Sequence, residues 1–387
     1  MVKLPEKLER KLAERQEIGA LRCLPESVGL IDFSSNDYLG ISSGNFEIKG
    51  YLKESLNFHP YHGSTGSRLI SGNRKIYKTS EKYLASTFGT EEALIFNSGY
   101  DANVGFFSSV PQRDDIVLYD SYIHASIRDG LSMGNAKNHS FHHNDLKDLE
   151  NRIARLRKKA TASSASEIYV VTEAVFSMDG DIPNLIKISE ICSNYNCKLI
   201  VDEAHSIGVC GLNGLGRVVQ LGLVDRVFAL IVTFGKALGS HGAAILGAAA
   251  LKSFLVNFSR SFIYTTALPS HTIANTIAGF EYIKSEVGEE ERKSLLSNIS
   301  FFKDLTTKLE LDQSFIPSNS AIHSCIIKGN FKVKSVSRKL QAKGYDVRAI
   351  LYPTVPKELE RLRFCLHSFN SKTEIEGVLL QLSKIIK

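Results

Sequence analysis

The sequence predicts an α/β protein: a large domain with a mostly parallel central sheet, followed by a smaller α+β domain. Three observations carry this. At 387 residues the chain is longer than one usual domain. From about 75 to 260, short apolar runs alternate with helical segments, the repeated strand–helix–strand order of βαβ units with a sheet covered on both faces. After about 285 the pattern changes to charged helices flanking short strands.

Taken in order, residues 4–20 read as a helix with Leu4, Leu8, Leu12 and Ile18 on one face. A strand-like stretch at 29–33 leads into the turn-rich Ser34-Ser-Asn-Asp-Tyr-Leu-Gly40. Candidate strands follow at 92–97, 115–119, 168–172, 198–201 and 226–232, with a helix at 181–194 that carries Pro183 in its first turn. Helices at 286–311 and 332–343 then flank strands at 321–328 and 362–366. The expected division is an N-terminal helix and arm at 1–45, a large domain at 46–285 and a small one at 286–387.

Composition excludes several classes. A hydrophobic fraction of 43% with 23% charged residues is ordinary for a globular chain with a core. The net charge of +6 is spread along the chain, and the basic run Arg155 to Lys159 reads as a solvated helix face rather than a nucleic-acid patch. Six cysteines without a C-x-x-C pair point to free thiols in a reducing compartment and not to a metal knuckle. The apolar runs fall short of a membrane span, and the charged N-terminal helix is no signal peptide. A cytoplasmic protein without metal is expected.

In open α/β sheets, ligands bind beyond the carboxyl ends of the strands. One apolar strand exits into Asp202-Glu-Ala-His205, and the next into Thr233-Phe-Gly-Lys236. A lysine that forms an imine must reach an aldehyde and lose its proton easily. Gly235 allows close backbone approach, and the apolar strand behind it desolvates the amine. Pyridoxal phosphate (PLP) needs an anion at its ring nitrogen, a role that suits Asp202. Its phosphate needs amide donors at a helix N-terminus and hydroxyls; Asn97-Ser98-Gly99-Tyr100 and Thr233 supply them. Taken alone, a lysine after a strand is most often a surface residue, Asp-Glu-Ala-His is a helix start, and His124 is a half-buried polar side chain. A P-loop fails, because Ala237 follows the lysine and Leu230 stands where its first glycine belongs.

Together the motifs resemble the α-oxoamine synthases, a family of fold-type I PLP-dependent transferases. The resemblance runs from Asp32-Phe-Ser-Ser-Asn-Asp-Tyr-Leu-Gly40 to Tyr352-Pro-Thr-Val-Pro356. It passes through Gly63-Ser-Thr-Gly-Ser-Arg68, His124-Ala-Ser-Ile127, Glu173-Ala-Val-Phe-Ser-Met-Asp-Gly180 and Thr233-Phe-Gly-Lys-Ala-Leu-Gly239. It implies that Lys236 carries PLP and later moves the substrate α-proton, that Asp202 holds the ring nitrogen and that His124 stacks on the ring. Ser177 and His205 would bond around the phenolic oxygen, with Ser98, Gly99, Tyr100 and Thr233 at the phosphate. Thr265 and Thr266 would reach the phosphate of a second subunit, which implies a homodimer with composite sites. Asn36 and Arg363 would hold the amino-acid carboxylate, and Arg22 and Thr354 would lie near the acyl donor.

The implied reaction joins an amino acid to an acyl-CoA, releases CoA and CO2 and leaves an α-aminoketone. Gly235 and Pro353-Thr-Val-Pro356 are most like the biotin-pathway members that use L-alanine and a pimeloyl thioester. Members that use serine with palmitoyl-CoA, or glycine with acetyl-CoA, remain alternatives, as does a PLP-binding protein without activity. Tyr77 stands where the family usually has histidine, His241 replaces a small residue, and His59-Pro-Tyr-His62 is unusual before the glycine loop.

Overall fold

The computed structural model describes residues 3–24, 29–42, 63–159 and 166–387. The unusual histidines at 59–62 therefore lie outside the described residues. Contacts divide the chain into two units: residues 39–177 with 182–292, and residues 1–38 with 178–181 and 293–387.

In chain order the strands are β1 (Ile31–Asp32), β2 (Glu92–Phe96), β3 (Ile116–Asp120), β4 (Lys137–Phe141), β5 (Ile168–Glu173) and β6 (Lys198–Asp202). They continue with β7 (Ala229–Thr233), β8 (Ala243–Gly247), β9 (Ile322–Ile326), β10 (Tyr345–Asp346), β11 (Arg348–Ile350) and β12 (Arg361–Cys365). The larger unit is built on a seven-stranded sheet ordered β2-β8-β7-β6-β5-β3-β4. Its strands are parallel except β8, which runs antiparallel to both β2 and β7. A buried cluster on the sheet joins Phe106, Phe107 and Ile127 to Val171, Ile200, Ile231 and Ile245. A central strand such as β5 is buried at every residue, as a strand covered on both faces must be.

The smaller unit pairs β11, β12 and β9 antiparallel and β1 with β10 in parallel. The N-terminal arm is stitched into it. Cys365 N donates to Phe33 O at 2.8 Å and Asn370 Nδ2 to Asp32 O at 3.1 Å. A capping box of Ser371 and Glu374 starts its last helix, Lys372–Ile386.

Three expected elements are corrected. The helix expected at 181–194 spans Leu185–Asn194, because the Asn184 side chain accepts from Lys187 N and caps it; Pro183 lies outside. The strand expected at 226–232 is Ala229–Thr233, preceded by a 3-10 turn at Val224–Arg226. The first helix is Glu6–Glu17, shorter than 4–20, and the side chains of Leu4, Leu8, Leu12 and Ile18 are exposed. Among the described residues no helix is long and apolar enough to cross a membrane.

Candidate active site

Strands β5, β6 and β7 all deliver a polar side chain at their carboxyl ends: Glu173, Asp202 and Thr233. Parallel pairing puts Glu173 in register with Asp202. The turns after β6 and β7 add His205 and Lys236, and both side chains line a cavity of about 220 Å³ together with those three. Ser98, Gly99, Tyr100 and His124 line it too, so eight of the residues given a site role from sequence meet in one place.

One wall is the start of the Gly99–Ser109 helix. Ser98 caps it, its Oγ accepting from Asp101 N at 3.0 Å, which leaves the amides of Gly99 and Tyr100 as first-turn donors for an anion. A side chain at Gly99 would not fit: its Cβ would lie 2.6 Å from Thr233 Cγ2. Thr233 Oγ1 itself is buried and has no hydrogen-bond partner among the described residues. A buried orphan hydroxyl beside a bare glycine and helix amides fits a phosphate.

The opposite need, an anion held in place, is met by Asp202. It is buried, with Oδ2 accepting from Asn103 Nδ2 and Oδ1 from Ala204 N, each at 2.9 Å. Asn103 also donates to Ser126 Oγ at 3.0 Å, and that hydroxyl lies 2.7 Å from His124 Nδ1. Burial pushes the His124 pKa down, with the Asp202 charge opposing; a neutral imidazole is the form that packs flat on an aromatic cation. Glu173 is wholly buried, and burial together with the Asp202 charge raises its pKa well above the carboxylate range. Its carboxyl accepts from the backbone of His124 and of Ser177. Sequence reasoning assigned no role to Asn103, Ser126 or Glu173, because Asn103 and Ser126 contact other side chains and Glu173 contacts the backbone of His124 and Ser177.

Other expected residues stand apart from this cavity. Ser177 is buried but does not line it. Thr265 and Thr266 flank Asn97, whose Nδ2 donates to Thr265 Oγ1 at 2.9 Å and to Thr266 O at 2.6 Å. Tyr77, the departure from histidine, is fully buried and donates to Leu268 O at 3.0 Å, with the Arg68 guanidinium 3.8 Å over its ring. Tyr77 thus anchors the segment that carries both threonines. His241 lines the cavity from an exposed position.

Four expected residues belong to the smaller unit. Buried Arg363, on β12, donates to Asn36 Oδ1 at 3.0 Å. Arg22 Nη2 donates to Thr354 Oγ1 at 3.3 Å at the surface.

The family model for aminotransferase class I and II matches residues 28–379. Among curated proteins the chain is 38% identical to an 8-amino-7-oxononanoate synthase of Emericella nidulans, over 96% of this chain and 91% of that one. It is 35% identical to the enzyme of the same name from Haemophilus ducreyi, over 95% and 98%. Among solved structures it is similar to a serine palmitoyltransferase of S. paucimobilis with a bound PLP–myriocin aldimine, at TM-score 0.88, 25% identity and coverage of 99% and 98%. It is also similar to the 8-amino-7-oxononanoate synthase of Francisella tularensis, at TM-score 0.74, 29% identity and coverage of 92% and 97%. The chain belongs to the class I and II aminotransferase family. Within it, the fold is that of the fold-type I PLP-dependent transferases and the branch is the α-oxoamine synthases.

Proposed function

We propose that this protein is a PLP-dependent acyltransferase that condenses L-alanine with pimeloyl-CoA, giving 8-amino-7-oxononanoate, CoA and CO2. The observation that carries it is the meeting of Lys236, Asp202 and the orphan hydroxyl of Thr233 in one cavity at the start of the Gly99–Ser109 helix. Bound there, PLP supplies an aldehyde for the substrate amine and an electron-withdrawing ring that acidifies its α-carbon. Asp202 holds the ring nitrogen, and its two donors fix the carboxylate in place for that task. His124 covers one ring face, while His205 and Ser177 serve the phenolic oxygen. Gly99, Tyr100, Ser98 and Thr233 bind the phosphate.

Lys236 binds the aldehyde at rest, then takes the α-proton of the amino acid and returns a proton after CO2 is lost. Arg363, steadied by Asn36, binds the substrate carboxylate, for which a guanidinium has the matching fork. Arg22 and Thr354 serve the acyl donor. Thr265 and Thr266 complete the phosphate site of a second copy, so the working unit is a homodimer. The six cysteines are free thiols, which fits a cytoplasmic enzyme.

The test is direct. Borohydride is expected to fix PLP covalently to Lys236, and Lys236→Ala to abolish the trapping. With L-alanine and pimeloyl-CoA the protein should release free CoA thiol. Release with serine and palmitoyl-CoA instead establishes the second reading, which the higher TM-score of the palmitoyltransferase favours and the sequence identities oppose. Release with glycine and acetyl-CoA alone likewise sinks the alanine assignment, and no trapping at all would leave an inactive PLP-fold protein.

A further inference from the structure

The smaller unit holds a second cavity, of about 440 Å³, between Gly19–Leu21 and the Asn330–Gln341 helix. We propose that it binds the phosphorylated nucleotide end of the CoA thioester, an inference that rests on the acyl-CoA reading above. Lys334, Arg338 and Lys339 line it, at spacings of four and five that share one flank of the helix. Residues 330–344 contain five cations and no carboxylate. Among the described residues no carboxylate pairs with any of the three; Lys334 Nζ meets only Leu21 O, at 3.4 Å.

Attraction to the helix C-terminus accounts for cations in the last turn, Arg338 and Lys339. It does not account for Lys334, nor for the hollow between them. Phe331 adds a flat wall: its ring lies against Gly19, where a Cβ would sit 3.0 Å from Cε1, yet the residue is 64% exposed. An open aromatic beside uncompensated cations suits a base followed by phosphates. The volume is that of a small-molecule site, whereas a carrier protein docks on a broad face of about 800 Å². Leu21 lines the hollow and Arg22, next in sequence, reaches Thr354, the pair assigned to the acyl donor.

Adenosine 3′,5′-bisphosphate, titrated calorimetrically into the PLP-loaded protein, is expected to bind. The double variant Arg338→Ala/Lys339→Ala, at exposed positions, should weaken it about tenfold or more through the loss of two charge-assisted contacts. The same variant should lower the preference for pimeloyl-CoA over pimeloyl-pantetheine by a similar factor. Absence of fragment binding, equal binding to the variant, or an unchanged preference overturns the inference, and continued CoA release then leaves the proposed function standing. A loss confined to a carrier-protein thioester overturns it in favour of a macromolecular partner. No CoA release with any substrate pair removes the functional reading and this inference together.

Discussion

Asn103 links two groups of the proposed cofactor site. Its amide donates to Asp202 and to Ser126, and Ser126 in turn meets His124. Hydrogen bonds to a charged group contribute about 1.5–3 kcal/mol each. Asn103→Leu is therefore expected to weaken PLP binding by tenfold or more in an equilibrium titration, while borohydride still traps Lys236 at saturating PLP; unchanged affinity would remove Asn103 from the site. A second residue sets a pH dependence. His323 is buried against Phe302, and burial pushes its pKa down to about 3. Unfolded, it titrates near about 6.5. Between those values the unfolded chain binds the extra proton, so stability falls as pH drops, by about 1.4 kcal/mol per pH unit once below the unfolded value. His323→Phe should flatten this part of the Tm-versus-pH curve between pH 6.5 and 4.5.

Between the helices Gly99–Ser109 and Ala125–Met133, contact is made through a glycine. A Cβ at Gly130 would lie 2.9 Å from Asn103 O and from Phe107 Cβ. Gly130→Val should push these helices apart and lower Tm, and because Asn103 moves with its helix, PLP affinity should fall as well. A fall in Tm with no change in PLP affinity would show that the helix start is held independently of this contact. The strands that carry the site were legible in the sequence, since each is an apolar run that ends in a chemically distinctive residue: Asp202 and Lys236 needed only the strand-exit rule. Strand β4 was not legible. Four of its five residues are exposed at the sheet edge, and Lys137-Asn-His-Ser carries no apolar pattern. The short β8 was not among the expected strands, and its reversed direction is fixed by its partners and not by composition. Asn103 and Glu173 escaped for a related reason. Asn103 lies 99 positions from the aspartate it supports, and nothing local in the sequence shows that distance closing.

For the whole molecule, the proposed composite site makes a mixing experiment decisive. Lys236→Ala removes the amine, and a Thr265→Val/Thr266→Val variant removes hydroxyls proposed to serve the neighbouring copy. Co-refolded, the two are expected to recover activity that neither shows alone, since one of the two sites in the mixed dimer receives both contributions. Recovery no greater than the sum of the parents would place the threonines in their own subunit's site.

The smaller unit has a further consequence, for how the chain comes to be folded. β1 lies beside β10, and Ser34 Oγ bonds to Asp346 Oδ2 across 312 positions of sequence. During synthesis the N-terminal arm leaves the ribosome long before its partners exist, and loop closure over such a span is slow. The larger unit can bury its own sheet in that interval, while the arm waits in water with Phe33 and Tyr38, both fully buried at the end, still uncovered. A chain stopped short of β10 would therefore expose its beginning as well as lose its end, and a protease offered such a chain should cut first near residue 33.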